Sequence, residues 1–153
     1  MTYSFQAQKK KGVTGEKAIL NYFKKDWFIS PASIPEQRKG IDFHFQHRQN
    51  GIHCTVEVKS DSKASVTGNA FVETYSSYPD KMGWAYTCQA DYLFYYLPQD
   101  RIIYVFKPRK IKESLSRWQK YPTRRIPNES WETRGLLVPL HEFEKHASQV
   151  LSL

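Results

Sequence analysis

Two runs of alternating apolar and polar residues flank an Asn-Gly pair, and no other feature of the sequence constrains the fold as strongly. The runs cover residues 40–49 and 52–59, and Asn50-Gly51 lies between them. An Asn-Gly pair between alternating segments is the strongest short-range signal for a β-hairpin. The sequence therefore predicts an antiparallel hairpin closed by a two-residue turn.

The alternation assigns each side chain of the hairpin to one of two faces, because successive side chains in a strand point in opposite directions. With a two-residue turn, Phe45 faces Val56, His44 faces Glu57 and Asp42 faces Lys59. A slip of one residue would place Phe43 opposite Glu57, so the pattern supports this register. One face is apolar and suited to burial: Ile41, Phe43, Phe45, Cys54, Val56 and Val58. The other face carries Asp42, His44, Glu57 and Lys59.

Asp42 and Glu57 are diagonal neighbours in this register, with Cα atoms about 7–8 Å apart. Carboxylates that converge repel each other unless a cation lies between them. Mg²⁺ prefers oxygen ligands, and a bound metal lowers the pKa of its water and neutralises charge on a phosphate. Lys59 lies on the same face, where it can orient an attacking water or stabilise a negative transition state. The hairpin therefore indicates metal-assisted hydrolysis of phosphodiesters.

The spacing from Asp42 to Glu57-Val58-Lys59, with a gap of fourteen residues, resembles the Asp…(Asp/Glu)-x-Lys signature of the PD-(D/E)XK nuclease superfamily. That superfamily includes restriction endonucleases and Holliday-junction resolvases. Ile41 stands where the signature has proline. The resemblance covers about residues 14–106 and implies an α/β fold with a restriction-endonuclease-like core, a central mixed β-sheet flanked by helices.

The resemblance also implies an activity, that of a divalent-metal-dependent endodeoxyribonuclease. Asp42, Glu57 and Glu16 would bind Mg²⁺, with Mn²⁺ as a substitute, and Lys59 would position the attacking water. Glu16 enters this set because many members carry an acidic ligand at the start of the corresponding helix. The substrate would be DNA, most naturally branched DNA such as a Holliday junction. Cleavage of two strands needs two active sites, so we expect a homodimer.

Three candidate residues have alternative explanations. Glu16 would also complement the dipole of its helix from the first turn. Glu73, on a predicted strand, is either a metal ligand or a neighbour of the ligands, or else a solvent-facing carboxylate. His44 is a candidate polar neighbour or substrate contact, since Mg²⁺ prefers oxygen to nitrogen.

The charge balance favours a polyanionic partner. The 153 residues include 23 Lys and Arg against 15 Asp and Glu, a formal net charge of +8. Arg38 and Lys39 precede the hairpin, where they could hold a phosphate backbone. The densest basic patch comprises Lys107, Arg109, Lys110, Lys112 and Arg117, followed by Lys120, Arg124 and Arg125. Such a patch suits phosphate contacts; the alternative is an ordinary solvated surface.

The length fits one domain over residues 1–153, with a basic arm over 1–12, a core over 14–106 and a basic helix with a C-terminal extension over 107–153. No run approaches membrane-spanning length, and the N-terminus lacks an apolar signal segment. Two cysteines are too few for a disulfide framework. We therefore expect a cytoplasmic protein with reduced cysteines and no membrane segment. His141 and His146 lack the spacing of a helical zinc pair, and we expect no structural zinc site.

Periodicity predicts the remaining elements. Helices are predicted over residues 14–25, 108–118 and 140–150, strands over 27–30, 69–75, 90–97, 101–106 and 135–139, and loops over 31–40, 60–68, 76–82 and 121–134.

Two other functions stay open at this point. A non-catalytic nucleic-acid-binding module could keep the nuclease fold, although such a protein is expected to have lost a carboxylate or the lysine, and all three residues are present. A Mg²⁺-independent RNA endonuclease could use His44 or His53 for acid-base chemistry, but it leaves the paired acids unexplained. Metal dependence separates this last function from the first.

Overall fold

The computed structural model describes residues 15–153 and has two β-sheets with helices packed around them. The predicted basic arm over residues 1–12 lies outside the described residues. Helix α1 covers residues 15–23. The other elements in chain order are β1 (Trp27–Pro31), α2 (Ile34–Gln37), β2 (Phe43–His47), β3 (His53–Ser60), α3 (Ala64–Thr67), β4 (Asn69–Ser77), β5 (Lys81–Met82), α4 (Trp84–Thr87), β6 (Tyr92–Leu97), β7 (Ile102–Phe106), α5 (Pro108–Trp118), β8 (Thr123–Pro127), β9 (Glu132–Pro139), α6 (Leu140–Lys145) and β10 (Gln149–Ser152).

The central sheet has six strands in the order β1-β2-β3-β6-β7-β10. Strands β3 and β6 are parallel, and every other neighbouring pair is antiparallel. A parallel pair needs a long crossover, and here the chain between β3 and β6 supplies it. The predicted α/β fold with a central mixed sheet flanked by helices is confirmed.

Helix α1 packs against one face of the central sheet. Ile19 is fully buried there, and Phe23 stacks on Phe94 with ring centroids 5.3 Å apart. The apolar face predicted for the hairpin contributes Phe43, Phe45, Val56 and Val58 to this core. Burial of these side chains follows from the alternation in the sequence.

The opposite face of the central sheet is covered over β6 and β7 by a second sheet, in the order β5-β4-β9-β8, and by α5 and α6. Trp118 of α5 and Phe143 of α6 are fully buried in this second core. Leu93, Tyr95 and Phe106 meet them from the central sheet. These aromatic residues pack in the interior.

The predicted register of the hairpin is wrong by two residues. The structure pairs Phe45 with Cys54 and Phe43 with Val56, because the turn spans four residues. His47 stabilises the longer turn: its N–H donates to Ile52 O at 2.8 Å, and its Nδ1 accepts from the Gln49 and Asn50 N–H groups. A shift of two residues keeps every side chain on its face, so the assignment of faces is correct.

Five predicted segments are also corrected. The loop predicted over 121–134 contains β8 and the start of β9, which pair with each other and so use their backbone groups in a ladder. The helix predicted over 140–150 ends at Lys145, and β10 then joins the edge of the central sheet beside β7. The loops predicted over 31–40, 60–68 and 76–82 contain the short elements α2, α3 and β5.

Within residues 15–153, no helix has both the length and the apolar character that are needed to cross a membrane.

Candidate active site

Asp42, Glu57 and Lys59 come together where β3 runs beside the start of β2. Glu57 and Lys59 alternate with the buried Val56 and Val58, so they project from the face that carries the second sheet. Asp42 immediately precedes β2, and its N–H donates to Val56 O at 2.9 Å. It therefore lies directly beside β3, closer than the diagonal placement predicted from the two-residue turn.

Lys59 and Glu57 form an ion pair, with Nζ 2.9 Å from Oε1. The Glu57 side chain is 6% exposed and that of Lys59 is 36% exposed, so a buried carboxylate lies beneath a partly exposed lysine side chain. Burial would lower the pKa of Lys59, but the charges of Glu57, Asp42 and Glu73 outweigh this effect and raise it. Lys59 is therefore a protonated hydrogen-bond donor near neutral pH.

Asp42 is fixed by a backbone hydrogen bond from the neighbouring strand. The Val58 N–H donates to its Oδ2 at 2.7 Å. Burial raises the pKa of Asp42, and the negative charge of Glu57 adds to the rise, while the Val58 hydrogen bond and Lys59 oppose it. The carboxylate is thus held in place by a donor that cannot move, in an environment that would favour an added cation.

Glu16 and Glu73 approach the same cluster from two other elements. α1 begins against β3: a Cβ on Gly15 would lie 2.6 Å from Ser60 Oγ. Burial raises the pKa of Glu16, and Asp42 adds to the rise while Lys59 lowers it. Burial likewise raises the pKa of Glu73 on β4, which interacts with Lys59 and Glu57 and accepts a hydrogen bond from the Trp84 N–H.

Glu57 Oε2 is enclosed by Gly40 and Cys88. It is buried, and among the described residues it has no well-formed hydrogen bond, although the Cys88 thiol interacts with the same carboxylate. The Cys88 thiol, whose pKa is raised by burial and by the Glu57 charge, donates to Gly40 O at 3.5 Å. Gly40 has φ +76°, and a Cβ there would lie 3.0 Å from Oε2 and 2.9 Å from Cys88 Cα. Neither Gly40 nor Cys88 was singled out by the sequence pattern.

The adjacent carboxylates of the site are suited to a hard divalent cation. Mg²⁺ commonly rests on one or two protein carboxylates and completes its shell with water and substrate phosphate. Asp42 and Glu57 provide two adjacent carboxylates, and Glu57 Oε2 is a buried acceptor without a well-formed hydrogen bond in the described part of the chain. In the part of the chain that the structure describes, no group of three or more His, Cys, Asp and Glu residues is arranged to hold a metal ion. The assignment of Glu16 as a third ligand stays a prediction.

His44 lies on the same face and joins a chain of hydrogen bonds that the sequence did not predict. Its Nδ1 is 2.9 Å from His53 Nε2, and its Nε2 is 2.8 Å from Glu36 Oε1. Glu36 also completes a capping box with Ser33 at the start of α2. The Ser-x-x-Glu spacing of residues 33–36 signals such a box and could have located Glu36, but not its bond to His44.

The predicted phosphate contacts are all on the surface. Arg38 and Lys39 follow α2 and are exposed. Lys107, Lys110 and Lys112 are exposed along α5, whose Ile111, Leu115 and Trp118 are buried. Arg109 is also exposed, but its Nε donates to Glu113 Oε1 at 2.7 Å, which neutralises part of the patch.

Comparison with known proteins supports a nuclease-like fold. No protein-family model matches the chain, and neither does any curated protein sequence. A solved structure of a bacterial homing endonuclease, I-Ssp6803I, is similar, with a TM-score of 0.50 and 23% sequence identity over 69% of this chain and 72% of that one. At this identity the similarity shows the fold.

Proposed function

We propose that the protein is a divalent-metal-dependent endodeoxyribonuclease, which hydrolyses phosphodiester bonds in DNA. The observation that carries the proposal is the Lys59–Glu57 ion pair, 2.9 Å long, beside an Asp42 carboxylate fixed by the Val58 N–H. One partly exposed cation above two carboxylates suits a reaction in which negative charge develops on a phosphate. The similarity to an endonuclease fold supports the same reaction class.

The roles of the residues follow from their surroundings. Lys59 is protonated, so it donates hydrogen bonds to the phosphate or to the attacking water and does not accept the water's proton. Glu57 holds the ammonium in place, and Asp42 is oriented by β3. Mg²⁺ or Mn²⁺ held by Asp42 and Glu57, with Glu16 as a third ligand and Glu73 nearby, would supply a water of lowered pKa and neutralise phosphate charge.

The proposed substrate is duplex DNA or a branched junction built from duplex arms. The formal net charge of +8 and the exposed lysines of α5 favour a polyanion. Each chain has one cluster of this kind among its described residues, and a duplex has two strands. We therefore propose that a homodimer makes paired cuts.

A cleavage assay with matched variants tests this proposal. Duplex, single-stranded and four-way-junction DNA are incubated with Mg²⁺, Mn²⁺ or EDTA. The wild type should cut only with metal. Lys59→Ala should cut about 10²–10³-fold more slowly, as expected for the loss of one transition-state donor. Glu57→Gln should abolish cutting while keeping DNA binding, because it removes a negative charge from a site that faces phosphates.

Exposed residues provide the controls. Lys145→Ala removes a lysine charge on α6, and Glu129→Gln removes a carboxylate charge in a loop, and both side chains are exposed. Both should cut like the wild type. Normal cutting by Glu57→Gln would show that the assigned site is wrong, and tight binding without cutting under any metal would favour the non-catalytic binding module.

A second candidate function rests on the hydrogen-bonded His44 and His53 rings. Paired histidines can share the acid and base roles of metal-independent RNA cleavage, and Glu36 orients His44 from the other side. RNA cutting that persists in EDTA and is lost in His44→Ala or His53→Ala would favour this function over the first.

A further inference from the structure

The face of the central sheet that carries the active site continues, uncovered, onto β2 and β1. The register places Ser30 beside His44, Phe28 beside Gln46, and Gln46 beside His53, all on the side of Glu57 and Lys59. The second sheet packs its apolar residues over β6 and β7, and its Glu73 reaches Lys59 and Glu57 on β3. Phe28 is 55% exposed, and Ser30, Gln46 and His53 are exposed as well.

A groove of about 570 Å³ lies at the β1 edge of the sheet. The open face lines one side of it, and Leu20, Trp27 and Ile29 line it from the side of α1. Lys24 and Arg48 supply positive charge to its lining, beside Phe28, Ser30, His44 and His53. No acidic residue lines the groove in the described chain; Glu36 is behind His44 and bonded to it. The groove is therefore complementary to a polyanion.

Arg48 is held in the groove by neutral partners. Its guanidinium carbon lies 3.9 Å from the centroid of the Phe28 ring, and its Nε donates to Lys24 O at 3.1 Å. Its backbone N–H donates to Asp26 O at 2.9 Å. Two other arginines, Arg109 and Arg134, are instead paired with carboxylates. Arg48 forms no ion pair among the described residues, so its charge is oriented but not neutralised.

Orientation of this kind lowers the entropy cost of binding, because the side chain loses less freedom when a ligand arrives. A guanidinium whose Nε is occupied still presents its terminal amino groups, and these suit phosphate oxygens. The groove also lies at a distance from Glu57 that a bound DNA duplex would span. Phe28 is level with His53, which is four residues before Glu57 and about 13 Å along β3, but Phe28 lies two strands further across the sheet, about 10 Å. The backbone at Phe28 is therefore about 16 Å from Glu57, which corresponds to about five base pairs of duplex rise.

We propose that this groove binds the phosphate backbone of duplex DNA about five base pairs from the cleaved bond, and that Arg48, oriented by Phe28, makes the central contact. The inference rests on the proposed nuclease function, because it assigns the flanking part of the same substrate to a surface beside the active site. The phosphate contacts that the sequence predicted on α5 lie outside this groove.

Binding of a labelled 30-base-pair duplex, followed by fluorescence anisotropy in EDTA at several salt concentrations, tests the proposal. Arg48→Ala should weaken binding about tenfold and reduce the slope of log K against log salt by about 1. Phe28→Ala leaves the charge unchanged, so it should weaken binding by a smaller factor and leave the slope as it is. Lys145→Ala removes one charge elsewhere and should bind like the wild type.

Thermal melting of each variant verifies that it is folded. An affinity and salt slope of Arg48→Ala equal to those of Lys145→Ala would overturn the inference, and so would a larger loss on a single strand than on the duplex. Different results would refute the nuclease proposal and the groove proposal. Normal cleavage by Glu57→Gln would remove the nuclease assignment, whereas unchanged duplex binding by Arg48→Ala would remove only the groove.

Discussion

Gly40 packs against the Glu57 carboxylate, and this contact allows a test of how tightly the site is built. Gly40→Ala should destabilise the fold by about 1–3 kcal/mol, because φ +76° is costly for a side chain, and should also reduce cleavage by displacing Glu57 or Cys88. Gly68 has the same φ with nothing within 4 Å of a Cβ. Gly68→Ala should therefore lose only the stability that the positive φ costs, without the clash, and should keep its cleavage rate. Cleavage rates are compared at equal concentrations of folded protein, which urea unfolding determines. Equal rates for the two variants would show that Gly40 does not position Glu57.

The proposed metal site can be tested without activity. If Asp42 and Glu57 bind a divalent cation, Mg²⁺ or Mn²⁺ should raise the melting temperature of the wild type, since a ligand of the native state stabilises it. Asp42→Asn keeps an acceptor for the Val58 N–H but loses the charge, so its melting temperature should not respond to metal. Asp80→Asn, at an exposed loop position, should respond like the wild type. An equal response of Asp42→Asn would exclude Asp42 as a ligand.

At the scale of residues, the sequence predicted that Asp42, Glu57 and Lys59 lie together, but not which groups hold them. Asp42, Glu57 and Lys59 could be found because their spacing and the alternation of the hairpin are local properties. Cys88 lies beside Glu57 only because the chain returns after β4, and Arg48 meets Phe28 only because β1 pairs with β2. No local pattern specifies contacts between segments that are distant along the chain.

At the scale of elements, the hairpin shows which part of a register a sequence determines. Alternation fixed the faces of β2 and β3, since a shift by one residue would bury Glu57 with the aromatic residues. Alternation does not distinguish registers that differ by two residues, and the conformation of the turn determines which of these registers forms. The His47 side chain caps the N–H groups of Gln49 and Asn50, and the Asn-Gly signal alone contains no information about this contact.

Helix α5 supports a prediction of its own. Lys110 and Lys112 are exposed and face away from the buried Ile111. If they contact phosphates, neutralising both to Gln should weaken duplex binding and reduce the salt slope by about 2, with little effect on saturated turnover. Lys145→Gln is the control in the same titration, because it removes one lysine charge that lies outside α5. A salt slope unchanged from the wild type would identify the lysines of α5 as a solvated surface.

At the scale of the whole molecule, the C-terminal third completes both sheets. Residues 107–153 supply β8 and β9 to the second sheet and β10 to the edge of the central sheet. The sequence predicted a strand at 135–139 but no partner for it, and it predicted that the helix from residue 140 continues to residue 150, where β10 has already begun. Both strands pair with segments far away in the chain, so the tertiary partner, and not local propensity, determines them.

The partly buried acids around Lys59 also link the stability of the whole fold to pH. Burial raises the pKa of Glu73 in the folded state above its ordinary value of 4.5. Between the two values the folded state binds a proton that the unfolded state does not, so this group's contribution to stability falls as pH rises through the window. Glu36, Glu113 and Glu142 act in the opposite direction, because hydrogen bonds lower their pKa values. The pH dependence of stability that is due to Glu73 is therefore measured as the difference between the wild type and a variant of Glu73.

Glu73→Gln keeps an acceptor for the Trp84 N–H and removes the ionisation. In urea unfolding in EDTA between pH 4 and pH 8, the stability of Glu73→Gln relative to the wild type should therefore increase as pH rises through the raised pKa, by at most about 1.4 kcal/mol per pH unit. Glu129→Gln should show no such trend. A difference between Glu73→Gln and the wild type that does not change with pH would mean that Glu73 ionises normally in the folded protein, and that Lys59 compensates its burial in full.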